Sequence, residues 1–218
     1  MTGGPISSHK GMNFPDSSLS ISGLTPKDLE DLHFGVEELR PDWIAASFVR
    51  SGDEVEEIKE RISEFGGSGI PLISKVEKHE AIDDIENILK ASDGIMVARG
   101  DLGVEINIED LPNVQRTIVQ RCAEHGKRVI VATHLLESMI HNPHPTPAEV
   151  TDVANAIYEE ADAVMLSGET TVGKYPVKCV EYLRKIALKS ETIPGLRFAK
   201  QLRDTGNKQQ LAAAAVQL

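Results

Sequence analysis

From Leu24 onward, short apolar runs of strand length alternate with longer segments whose apolar residues recur at helical spacing. That alternation predicts βα units packed around a parallel sheet. The runs Trp43–Val49, Ile70–Val76, Gly94–Ala98, Arg128–Thr133 and Ala163–Leu166 are the five strands expected. Helix starts are marked by their capping chemistry. Ser51-Gly52-Asp53-Glu54 has capping-box spacing, and Val55, Ile58, Ile62 and Phe65 then share one helical face. Thr146-Pro147-Ala148-Glu149 combines an N-cap, a proline at the first helical position and a reciprocal glutamate, and another helix opens at Pro176. Residues 1–23, rich in Gly, Ser and Pro, read as loop or a single extended segment without a core of its own. The run Leu211–Val216 reads as the opening of a helix.

Two architectures accommodate such repeats, an open doubly wound sheet and part of a (β/α)₈ barrel. The polar residues favour the barrel, because every expected strand runs into reactive groups: Ser47 and Arg50, Lys75 and Glu77, Arg99 and Asp101, Thr133, and Ser167 with Glu169. The expected fold class is therefore α/β, a partial (β/α)₈ TIM barrel of about five βα units with its chemistry at the carboxyl ends of the strands.

Composition narrows the function classes. The 218 residues are 40% hydrophobic and 26% charged, enough for a real core. A net charge of -11 repels phosphate backbones and argues against a nucleic-acid partner. No run approaches the roughly 18 apolar residues that span a bilayer, and the start lacks a secretory pattern, so no membrane association is expected. The two cysteines, Cys122 and Cys179, fit neither a disulfide framework nor a zinc site, and a reducing, cytoplasmic setting is expected.

Alternation places Lys75 and Glu77 on one side of their strand, about 7 Å apart along it. Asp101, between Gly100 and the Leu102-Gly103 step, is a second carboxylate where backbone can approach a ligand closely. Two carboxylates without His or Cys suit a hard cation, Mg²⁺ or Mn²⁺, and a lysine beside it suits phosphoryl or enolate chemistry. The plain alternative is a Lys–Glu pair plugging a barrel end and an aspartate capping the next helix. Thr133 could hydrogen-bond a substrate carboxylate or relay a proton, or simply cap. His134, His141 and His144 have no metal-site spacing and read as loop residues.

The segments Lys75-Val76-Glu77, Met96–Glu105 (MVARGDLGVE), Leu136-Glu137-Ser138-Met139 and Met165–Thr170 (MLSGET) resemble the pyruvate kinase family in order and spacing. Lys10–Pro15, Ser47–Arg50, Asn142–Thr146 and Gly173–Pro176 extend the resemblance over roughly residues 3 to 218. It implies transfer of the phosphoryl group of phosphoenolpyruvate to ADP, giving pyruvate and ATP. Lys75 would stabilise the phosphoryl group, and Glu77 and Asp101 would hold Mg²⁺ (or Mn²⁺). Gly100 and Asp101 would offer backbone amides to substrate, Thr133 would bind its carboxylate side, and Ser167 is a weaker candidate for the proton relay. Where the family commonly has glutamine or asparagine after that threonine, this chain has His134.

By the same resemblance, residues 1–23 correspond to the returning end of a lid domain, 24–192 to the barrel domain, and 193–218 to a linker and the start of a C-terminal domain. The family's K⁺ site and first three barrel strands would precede residue 1, so the chain is expected to be a fragment, inactive alone, of a protein whose full-length relatives form homotetramers. Two competing readings remain: a metal-dependent lyase or aldolase that stabilises the same enolate, against which Lys75 argues, and a non-catalytic half-barrel that pairs with another chain.

Overall fold

The computed structural model describes residues 23–198. The expected calls on residues 1–22 and 199–218, the Lys10–Pro15 match and the Leu211–Val216 helix among them, lie outside the described residues. Five parallel strands, β1 (Ile44–Ala46), β2 (Leu72–Val76), β3 (Gly94–Ala98), β4 (Arg128–Ala132) and β5 (Ala163–Met165), form one sheet in sequence order. Nine helices accompany them among the described residues: α1 (Pro26–Phe34), α2 (Gly52–Glu64), α3 (His79–Asp83), α4 (Ile85–Ala91), α5 (Arg99–Glu105), α6 (Leu111–His125), α7 (Pro147–Tyr158), α8 (Gly168–Thr171) and α9 (Pro176–Ser190). This is the expected α/β architecture, a partial (β/α)₈ barrel of five units.

Register explains the two faces of the sheet. Ala46, Ser74, Ile95 and Val129 lie in one row across the strands, and Val76, Val97, Val131 and Val164 in another. These rows face the helices, and from Ser74 to Val131 their members are buried. Ser74 is tolerated there because its hydroxyl pairs with that of Ser92 at 2.6 Å. On the helix side, Val55, Ile58 and Ile62 of α2, Ile88 and Leu89 of α4, and Ile118, Val119 and Cys122 of α6 complete one core. Gly52 lets α2 approach α4, since a Cβ there would sit 2.8 Å from Asn87 Cβ. A second cluster joins Leu135, Leu136 and Met139 to Val153 of α7 and Cys179 and Ile186 of α9.

The opposite rows, Ala45–Ile73–Gly94–Arg128 and Lys75–Met96–Ile130–Ala163, form the concave face. Gly94 and Met96, in the middle, are buried, whereas Ala45, Arg128 and Ala163 are exposed and Ile73, Lys75 and Ile130 half-buried. Five strands do not complete the side-chain layers that fill a closed barrel. Beside β1, a cleft of about 730 Å³ opens between α1 and the strand, lined by Leu32, Ser47, Phe48, Arg50, Lys78 and Glu80.

Strand limits differ from expectation where the backbone turns. β1 ends at Ala46 rather than Val49, because Phe48 takes φ 57. β2 begins at Leu72, after Pro71, whose carbonyl accepts from Ile44 N. β4 stops before Thr133, and β5 before Leu166. Thr146 and Glu149 make the reciprocal capping box foreseen for α7. Ser51 caps α2 by accepting from Glu54 N, but the Glu54 carboxylate turns to Arg50 N and Nε, so that box is half formed. Thr25 and Asp28 form a second complete box at α1. At the other end, Leu196 N donates to Tyr158 O at 2.8 Å, and Phe198 is buried in the main core.

Candidate active site

Pleating carries Lys75 and Glu77 to the same side of β2's carboxyl end. Lys75 Nζ sits 2.7 Å from Glu77 Oε1 and donates to Ser47 Oγ at 2.9 Å, which ties the ends of β1 and β2 together. The Glu77 side chain is 1% exposed against 24% for Lys75, so the anion is sequestered and the cation reaches the concave face. Glu77 Oε2 accepts from Phe48 N at 2.7 Å, and the left-handed Phe48 turn is what points that N–H inward. Glu77 Oε1, also buried, has Lys75 Nζ as its ion-pair partner.

Asp101 enters on α5, which begins immediately after β3. It stands in the first turn, where backbone N–H groups have no intrahelical acceptor. Its side chain is half-buried and makes no side-chain cap. A strut links the two carboxylate-bearing segments: Lys78, next to Glu77, donates from Nζ to Glu105 Oε1 at 2.7 Å at the far end of α5.

Thr133 follows β4 with φ 70 and His134 with φ 54. Two consecutive left-handed residues, one of them β-branched, are costly and occur where surrounding structure enforces them. The turn brings Thr133 Oγ1 to accept from Gly100 N at 2.7 Å, joining the β3 and β4 ends. With one lone pair engaged by that amide, the Thr133 hydroxyl keeps its own proton to donate elsewhere. The Gly100 amide expected to face substrate is thus already hydrogen-bonded within the chain.

Ser167 precedes α8 at the end of β5. Its backbone N donates to Glu169 Oε2 at 2.8 Å, and Glu169 Oε1 takes Leu136 N at 3.0 Å. The fully buried Glu169 holds the loops after β4 and β5 together. Nearby, Glu149 anchors the Leu136–Ile140 turn. Burial raises its pKa, but hydrogen bonds from Ser138 and Thr146 outweigh burial and hold it below the ordinary carboxylate value. Of the histidines, His134, His141 and His144 are exposed, and His144 pairs with Tyr182 Oη at 2.6 Å. No cluster of three or more His, Cys, Asp or Glu able to hold a metal occurs among the described residues.

The carboxyl ends of β1 and β2 bring Ser47, Lys75 and Glu77 into one bonded group, and those of β3 and β4 bring Gly100 and Thr133 into a second, with Asp101 next to Gly100 in sequence and Ser167 after β5. By its chemistry the pair Glu77 and Asp101, two carboxylates without His or Cys, would suit a hard divalent cation, although both Glu77 oxygens are engaged within the chain, Oε1 by Lys75 and Oε2 by Phe48 N. Sequence reasoning missed the connecting residues. Arg99 was visible only as a polar residue at a strand end, and Glu105 only as the last residue of the Met96–Glu105 motif; its spacing of four from Asp101 puts both on one side of α5.

A family model described as pyruvate kinase, barrel domain, matches residues 1–180. Over 189 residues the chain is 47% identical to a pyruvate kinase of Clostridium perfringens, covering 87% of this chain and 40% of that protein. A pyruvate kinase of Sporosarcina psychrophila is 50% identical over 188 residues, covering 86% of this chain and 32% of that protein. One of Agrobacterium vitis is 51% identical over 191 residues, 88% of this chain and 39% of its own length. The chain thus spans about a third to two fifths of these relatives. With the barrel-domain match covering most of its residues, the chain belongs to the pyruvate kinase family.

Proposed function

We propose that the chain supplies the lysine, carboxylate and threonine side of a site that transfers the phosphoryl group of phosphoenolpyruvate to ADP, giving pyruvate and ATP. The observation that carries this reading is the Lys75–Glu77 pair: a cation facing the concave side, held by a buried carboxylate whose Oε1 lies 2.7 Å from Lys75 Nζ. Lys75 Nζ, fixed by Ser47 Oγ and Glu77, presents positive charge where a phosphoryl group would cross. A preorganised charge of this kind stabilises a dispersed anionic transition state without reorganising during the reaction. Glu77 and Asp101 would hold Mg²⁺ (or Mn²⁺). Bound there, the cation would neutralise substrate oxygens. Thr133 would donate its hydroxyl proton to the substrate carboxylate while accepting from Gly100 N.

β1 and β5 are the outer strands of the five-stranded sheet, and five strands do not fill a barrel's side-chain layers, so the 218-residue chain by itself is expected to bind cation without turning substrate over. The test is Mn²⁺ binding to this chain by electron paramagnetic resonance, with and without phosphoenolpyruvate. Glu77→Gln and Asp101→Asn should each weaken binding roughly tenfold or more. Equal binding by wild type and both variants would remove the carboxylate assignment.

A further inference from the structure

Arg99 is the first residue of α5, and its guanidinium is buried. Nη2 donates to Thr133 O at 2.7 Å and to His134 O at 3.2 Å, and Nε donates to Thr133 O at 3.2 Å. The remaining nitrogen, Nη1, donates to Asp152 Oδ1 of α7 at 2.9 Å and to Gln115 Oε1 of α6 at 3.4 Å. Gln115 is in turn fixed by Glu159, which also accepts from Asn155. The guanidinium fork is thus held from behind by two helices and spends its other edge on carbonyls, a geometry that an ammonium cannot reproduce.

The two carbonyls it holds belong to the two left-handed residues, Thr133 and His134. Neither is glycine, and each bears the steric cost of that conformation. Strain of this sort persists only where the surroundings over-determine it. We propose that Arg99 is the positioning residue of the β4 turn: by clamping the carbonyls of Thr133 and His134 it enforces their left-handed backbone and so delivers Thr133 Oγ1 to Gly100 N. The guanidinium comes from the residue next to Gly100, so one α5 turn provides both the clamp and the amide that Thr133 meets. The role in catalysis rests on the proposed function, whereas the clamp itself does not.

The test is amide hydrogen exchange and backbone coupling constants measured by NMR on the 218-residue chain. Thr133→Val, which lacks the acceptor oxygen, gives the baseline for an unbonded Gly100 amide. In Arg99→Lys, which retains the charge beside Asp152, Gly100 protection should fall roughly tenfold toward that baseline, and the Thr133 coupling should move to extended values. Adding His134→Gly to Arg99→Lys removes the steric cost at one of the two residues and should restore part of the protection. Unchanged Gly100 protection in Arg99→Lys overturns the proposal. Loss of protection that His134→Gly does not restore also overturns it, leaving Arg99 a packing role. Because neither readout uses cation or substrate, these outcomes are separate from the Mn²⁺ test above.

Discussion

The two faces of the sheet differ in what they demand of their side chains. On the helix side, Leu72, Val76, Ile95, Val97 and Val131 are fully buried against α2, α4 and α6, with Ser74 tolerated through its bond to Ser92. On the concave side, Ile73, Lys75 and Ile130 are half-buried and the outer positions are exposed. The same strands therefore carry the packed core on one face and the candidate site on the other, and the alternation of the pleat keeps the two separate. Leu72, Ser74 and Val76 pack against the helices, while Lys75, interleaved with them, turns to the concave side and pairs with the buried Glu77.

Truncation at neighbouring positions should expose this division most sharply. Leu72→Ala removes a fully buried side chain and should cost about 2–5 kcal/mol, whereas Ile73→Ala, one residue on, should cost less than half as much. Urea denaturation midpoints of the two variants measure the difference, and equal losses would mean that the concave face is as well packed as the other.

The alkaline titration of Cys122 probes the helix side. Burial pushes the Cys122 thiol up to about 12 from an ordinary 9.0. Above pH 9 the unfolded chain releases this proton while the folded chain retains it, so the folded state loses stability as pH rises toward 12. The loss attributable to Cys122 should reach about 2 kcal/mol near pH ~10.5. It appears as a difference in alkaline slope between wild type and Cys122→Ala, and parallel slopes would contradict it.

Glu77→Gln should have the smallest effect on stability. It retains an acceptor for Phe48 N and removes a buried charge whose pairing with Lys75 roughly balances its desolvation. A change within about 1 kcal/mol, together with weakened Mn²⁺ binding, would show that the concave face exchanges ligand affinity for little stability. A loss of several kcal/mol would make the pair a structural plug.

The fold was readable wherever local chemistry and burial agreed. β3 ran from Gly94 to Ala98 as expected, because it is apolar throughout and bounded by Asp93 on one side and Arg99-Gly100 on the other. α7 announced itself through Thr146, Pro147 and Glu149. Two of the misplaced limits, at the ends of β1 and β4, share one cause. Phe48 and Thr133 adopt left-handed backbone with none of the glycine or asparagine that usually signals it, so both looked like continuing strand. α5 was hidden in a similar way, since Gly100 and Gly103 lower helix propensity in a segment that long-range bonds nonetheless hold helical. Among the candidate site residues, alternation along β2 singled out Lys75 and Glu77, and the flanking glycines singled out Asp101. Arg99's reach to Thr133, 34 positions away, has no periodic signature, because it depends on how β3 and β4 lie side by side.

The strand order has a kinetic consequence. Each strand hydrogen-bonds only to its neighbours in sequence, the span between paired residues running from Ile73 and Gly94 at the shortest to Gly94 and Arg128 at the longest. No pairing must wait for a distant part of the described chain, so loop-closure entropy is met in modest instalments. A chain emerging from the ribosome can add each βα unit to the growing edge as it appears, and the edge awaiting the next strand is the surface that a chaperone would meet.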